Sequence, residues 1–176
     1  MAEIKMLKYI VMLLMVAQVS MAEDAIEQSG YLAKAKQVGE HVWIGPQPTK
    51  QDFDELAADE IGAVINNRTE AETKQLDFNE TEQASKYNMT YDLLQIGEGH
   101  AYSPAKLTEF NALMTANAGK NVLLHCRSGN RSTQLYTAWL IKYQGKSEAE
   151  ALEAVGSEET ELNDSVNTLL GRPILK

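Results

Sequence analysis

Short runs suited to strands, at His41-Val42-Trp43-Ile44, Ala63-Val64-Ile65, Thr90 to Ile96 and Asn121-Val122-Leu123-Leu124-His125, alternate with stretches of helical pattern. No other feature constrains the chain as much. A continuous apolar run such as Val122-Leu123-Leu124 suits a strand covered on both faces. Strands that alternate with helices build a parallel sheet with helices packed on either side. The predicted fold is therefore α/β, a parallel sheet with helices on both faces. In such sheets the loops beyond the carboxyl ends of the strands carry the site. Arg68, Glu98 and Cys126 each follow a predicted strand, so they should share one edge.

Local signals bound the elements. Pro46 and Pro48 stop the first strand. Thr49 opens a helix with Asp52 as an approximate capping box, and Ile61-Gly62 closes it. A polar helix is expected from Ala71 to Tyr87. Ser103 as N-cap and Pro104 at the first helical position start another, which runs to Gly119. The next spans Ser132 to Gln144 and is closed by Gly145. Ser147 with Glu150 opens a further helix, and Thr160 to Leu170 forms the last. Glu23 to Gly39, polar and rich in alanine, reads as a leader helix.

Residues 1–22 carry the marks of a signal peptide. Lys5 and Lys8 precede an apolar stretch from Tyr9 to Val16, and Ser20-Met21-Ala22 offers small residues before a cut at Glu23. A spanning helix needs about 20 apolar residues, and Gln18 with Ser20 interrupts this run well short of that. The expectation is a single domain over residues 23–176, periplasmic or secreted, with no stable membrane anchor after cleavage. Loss of Lys5, Lys8 and Glu3 takes the chain from 16 basic and 25 acidic residues to 14 and 24, a net charge of −10. Such a surface repels nucleic acid. An anionic substrate must be captured locally, against that field.

The single cysteine excludes an intramolecular disulfide. It lies in His125-Cys126-Arg127-Ser128-Gly129-Asn130-Arg131-Ser132, between a buried strand and a helix start. Backbone N–H groups at a helix start have no intrahelical partner. A turn that aims them inward makes a nest for an oxyanion. Gly129 permits the curvature, Arg131 can grip two oxygens of a tetrahedral anion, and both the helix end and Arg131 favour the thiolate. Cys126 is thus the expected nucleophile, with Arg127, Ser128, Gly129, Asn130 and Ser132 around the substrate and Ser132 able to donate to the sulfur. Arg68 and His100 are further candidate substrate contacts; an ion pair at a strand end is the plainer account of Arg68. His125 is expected to be a buried partner that shapes the loop. Three scattered histidines and one cysteine supply no metal cluster, and no cofactor is called for.

Ile44-Gly45-Pro46-Gln47-Pro48, then Gly62 to Arg68, then His125-Cys126, resembles the protein-tyrosine/dual-specificity phosphatase superfamily. Within it, the likeness is nearest to the bacterial beta-lactamase-hydrolase-like phosphatase-like domain, over roughly residues 38–145. The resemblance implies a protein-tyrosine-phosphatase-like fold and a cysteinyl-phosphate intermediate. It also implies a general acid from a loop after a strand, a place held here by Glu98. The run Cys126 to Ser132 also resembles a rhodanese sulfurtransferase loop. Four residues separate Cys126 from Arg131, as in rhodaneses, whereas phosphatases of this superfamily have five. Three readings remain open: a phosphatase of phosphate esters, a sulfurtransferase using a Cys126 persulfide and a sulfane-sulfur donor, and a catalytically weak oxyanion-binding module. In each, phosphate or sulfate can occupy the loop.

Overall fold

The computed structural model describes residues 30–174, and the signal peptide expected at 1–22 lies outside them. Five strands form one sheet: β1 (Lys36–Gly39), β2 (Val42–Gly45), β3 (Ile61–Asn66), β4 (Thr90–Leu93) and β5 (Asn121–His125), in the order β1-β2-β5-β3-β4. β2, β5, β3 and β4 run parallel. β1 is the departure from the expected all-parallel sheet, pairing antiparallel with β2 through a tight turn. Two residues between strands are too few for a crossover and suffice for a hairpin. The described part of the predicted leader helix is consequently a turn at 30–35 followed by β1.

The helices are α1 (Asp52–Ala58), α2 (Glu70–Thr73), α3 (Glu80–Lys86), α4 (Pro104–Ala116), α5 (Asn130–Gln144), α6 (Glu148–Ala154) and α7 (Asp164–Leu169). Side chains along the strands divide by parity, as the pleat demands. Val42, Ile44, Ala63, Ile65, Val122 and Leu124 enter one core with α4 to α7. Trp43, Val64 and Leu123 enter a second with α1 and α3. Each fully buried Leu or Ile contributes about 2 kcal/mol through removal from water, so β5, buried at Val122 to His125, is held firmly from both sides.

Against expectation, α4 stops at Ala116 and not at Gly119, α5 starts at Asn130 and not at Ser132, and α7 starts at Asp164 and not at Thr160; three further differences have identifiable causes. Ile61 begins β3 instead of ending a helix; α1 stops at Ala58, and Glu60 turns the chain with φ 59°. The polar stretch 71–87 is two helices. Asn79 accepts from the Glu82 N–H to start α3 afresh, while Phe78 packs edge-on to Phe53. β4 ends at Leu93, because the Leu94 carbonyl is taken by Asn67 Nδ2 and the chain beyond serves the site. Thr49 and Asp52 exchange the expected pair of bonds, with Thr49 N–H donating to Asp52 Oδ2 at 2.7 Å and Asp52 N–H to Thr49 Oγ1 at 3.3 Å, but the helix itself begins at Asp52 with Gln51 as its N-cap.

Candidate active site

β5 delivers His125 and Cys126 at the carboxyl edge of the sheet, and α5 begins four residues later. Gly129 turns the chain between them with φ 91°; a Cβ there would meet the Gly45 carbonyl oxygen and Ile44 at 3.4 Å. This turn aims the Gly129 N–H at Cys126 Sγ, 3.2 Å away. The sulfur therefore sits at the floor of the loop, near the positive end of a 15-residue helix. Cys126 is only 1% exposed.

Arg131 is fixed by two acceptors. Nη1 and Nη2 donate to the two carboxylate oxygens of Glu72 at 2.7 Å each, and Nη1 also donates to the Ile96 carbonyl at 2.6 Å. A guanidinium carries five N–H groups, so Nε–H and one Nη2–H remain for a ligand. Hydrogen bonds from Arg131 hold the Glu72 carboxyl down to about 2, and Glu72 raises Arg131 in return. Glu72 is thus a permanent anion near neutral pH and cannot serve as the acid.

Ser132 does not donate to the sulfur as expected. Its hydroxyl is spent on Asn67 Oδ1 at 2.7 Å, both residues being fully buried. Arg68 is turned inward: Nη1 donates to Gln47 Oε1 at 2.5 Å, Nη2 to the Glu72 carbonyl at 3.1 Å, and Nε lies 3.7 Å from Glu72 Oε1. The ion pair at a strand end is what the structure contains. Arg127, Ser128 and Asn130 have exposed side chains on the outer rim. The Arg127 carbonyl accepts from the Gln47 N–H at 3.3 Å.

Beside Arg131 opens a cleft of about 740 Å³, bordered by Thr69, Glu72, Gln95, Gly97, Glu98 and His100. Glu98 stands exposed at the tip of the Gly97–His100 turn, whose ends are bonded backbone to backbone. Candidate acid and guanidinium thus share one cleft. Among the described residues no cluster of His, Cys, Asp or Glu is arranged to hold a metal, and no helix is long and apolar enough to cross a membrane.

Sequence reasoning missed Glu72, Glu80, Gln47, Asn67 and Tyr102. Glu72 falls within the stretch expected as one polar helix, and its only sequence signal is its spacing from Thr69, with which it forms a capping box. Tyr102, half-buried, is pushed up to about 12, first by burial and then by the field of Cys126. It is a neutral hydroxyl near the sulfur.

Residues 34–142 match the family model described as the beta-lactamase hydrolase-like protein, phosphatase-like domain. No curated protein matches the chain. Among solved structures the chain is similar to Tk-PTP in its active form, with 26% identity and a TM-score of 0.65 over 80% of this chain and 98% of that one. PTPMT1 is similar at 25% identity and a TM-score of 0.62, over 77% and 90%, and its structure is also known in complex with PI(5)P. The kinase associated phosphatase, with its catalytic site cysteine substituted by serine, shares the fold at 15% identity and a TM-score of 0.61, over 73% and 84%.

Proposed function

The chain belongs to the family of the beta-lactamase hydrolase-like protein, phosphatase-like domain, and from that premise we propose that it is a cysteine-dependent phosphatase acting on small phosphate esters. One observation carries the reading: Cys126 Sγ accepts from the Gly129 N–H on the loop floor, while Arg131 is pinned with two donors to spare. Phosphate oxygens bound by the loop amides and by Nε and Nη2 of Arg131 would leave phosphorus facing the sulfur. The Cys126 thiolate attacks phosphorus, an S–P bond forms and the P–O bond to the leaving alcohol breaks. Glu98 gives that oxygen its proton, then takes one from the water that cleaves the S–P bond and frees phosphate. PI(5)P bound by PTPMT1 is a phosphorylated ligand on the same fold, which supports this substrate class.

Sulfur transfer is the second reading. It is favoured by the four residues between Cys126 and Arg131 and by the burial of Cys126, only 1% exposed as a residue, since a persulfide needs less room than a phosphoryl group. An assay of an aryl phosphate in parallel with thiosulfate plus cyanide, each against Cys126→Ser, separates the readings. We expect phosphate release that Cys126→Ser abolishes. Thiocyanate formation without phosphate release would transfer the site to sulfur chemistry. Binding of phosphate with neither turnover would leave an oxyanion-binding module. Glu98→Gln should lower phosphate turnover and flatten the alkaline fall of its pH profile, the limb set by a group that must be protonated. Export through residues 1–22 belongs to the same proposal and is tested by N-terminal sequencing of the protein from the extracytoplasmic fraction, with Glu23 expected first.

A further inference from the structure

We infer that Gln47 is a positioning residue for the oxyanion seat. Its backbone N–H holds the Arg127 carbonyl outward and so turns the Ser128 N–H inward, while its side chain ties this anchor to the network that pins Arg131. This rests on the reading of the Cys126 loop as an oxyanion seat and adds a residue that touches no substrate.

Pro46-Gln47-Pro48 follows β2 and carries a single backbone N–H, because proline has none. That N–H donates to the Arg127 carbonyl at 3.3 Å. The carbonyl and the N–H of one trans peptide point in opposite directions, so the Ser128 N–H faces away from Gln47. β2 ends on the outer flank of the loop: Gly45 pairs with His125, and its carbonyl oxygen would lie 3.4 Å from a Cβ at Gly129. The Gly129 N–H points instead to Cys126 Sγ, 3.2 Å away. Away from Gln47 is therefore toward the sulfur, and the Ser128 N–H faces the same side as that of Gly129. The Gly129 carbonyl is engaged outside the seat as well, accepting from the Thr133 N–H at 2.9 Å and from Thr133 Oγ1 at 3.1 Å.

Gln47 is itself held on every side. The carbonyl of Pro46 before it accepts from the buried Tyr31 hydroxyl. Gln47 Oε1 accepts from Arg68 Nη1 at 2.5 Å, and Nε2 donates to Glu80 Oε1 at 2.7 Å and to the Pro48 carbonyl at 3.1 Å. Both N–H groups of the side-chain amide are thus engaged. Arg68 Nη2 in turn donates to the Glu72 carbonyl at 3.1 Å, and both carboxylate oxygens of Glu72 accept from Arg131. One residue reaches the amide wall of the seat through its backbone and the guanidinium wall through its side chain. Hydrocarbon in its place would deprive the buried Arg68 of an acceptor and the buried Glu80 of a donor.

Gln47→Met keeps the length of the side chain and removes its three hydrogen bonds. In the full chain, calorimetry should show inorganic phosphate binding about tenfold more weakly to Gln47→Met than to the wild type, the scale of one lost charge-assisted hydrogen bond. Saturating phosphate should move the Ser128 amide proton of the wild type downfield in proton–nitrogen spectra. A general loosening of the loop would speed alkylation of the buried Cys126 by iodoacetamide, a rate we expect to be unchanged in Gln47→Met. An unmoved Ser128 amide in the phosphate-saturated wild type, an unchanged phosphate affinity in Gln47→Met, or a loss of affinity accompanied by faster alkylation would overturn the inference. The Ser128 amide is read in the wild type, so the test stands even if Gln47→Met fails to fold. Phosphate binding needs no turnover, so failure here is distinct from failure of the phosphatase reading.

Discussion

Gly97 shows how closely single residues are fitted around the guanidinium of Arg131. A Cβ at position 97 would lie 3.1 Å from Arg131 Nη1 and 3.0 Å from Thr69 Cγ2, at φ 146°. Gly97→Ala should therefore push Arg131 off the Ile96 carbonyl and weaken inorganic phosphate binding about tenfold, the cost of one misplaced charge-assisted hydrogen bond; calorimetry with phosphate checks this. Glu72 makes a pH-dependent prediction. Its folded value of about 2 lies below the ordinary 4.5. Its stabilising contribution is complete above the ordinary value and is lost as pH falls through about 2. Urea midpoints of the wild type should drop between about pH 5 and pH 3, and Glu72→Gln should remove that share of the drop. An identical slope in both proteins would separate Glu72 from acid stability.

At the scale of elements, the bond between Ser132 in α5 and Asn67 after β3 fastens the loop to the sheet edge. Ser132→Ala strands a buried Asn67 oxygen and should lower stability by about 1–3 kcal/mol, seen as a lower urea midpoint at unchanged slope. β5, α4, α6 and the loop from Cys126 to Arg131 were legible in the sequence, because their signals are local: a leucine run, Ser103-Pro104, Ser147 with Glu150, a glycine before a helix. β1 and the break between α2 and α3 were not. β1 is a strand only because β2 offers it an open edge, and the break follows from where Phe78 packs. The site divides in the same way. Cys126 and Arg131 announce themselves by spacing. Glu72 stands 59 positions before Arg131 and Asn67 stands 65 before Ser132, and no periodicity links residues so far apart.

At the scale of the molecule, two cores share one sheet, and Leu123 of the central strand is wholly buried in the second. Leu123→Ala should cost about 3 kcal/mol and loosen the loop that β5 supports, so hydrogen exchange at Cys126 to Gly129 should quicken with it. The whole-chain charge of −9 opposes the approach of an anion. Added salt screens that repulsion over about 10 Å at 0.1 M. The kcat/KM for a phosphate ester should consequently rise with ionic strength at low salt, and a fall would mean that the local cationic field outreaches the global one.

The depth of the lone thiol has one more consequence. Two copies cannot bring their sulfurs to bonding distance, about 2.05 Å, while each lies under its own peptide loop. A disulfide-linked dimer can form only after that loop has opened. The fraction of such dimers on a non-reducing gel therefore records how often the seat of Cys126 comes apart, a gauge of breathing that the chain carries within itself.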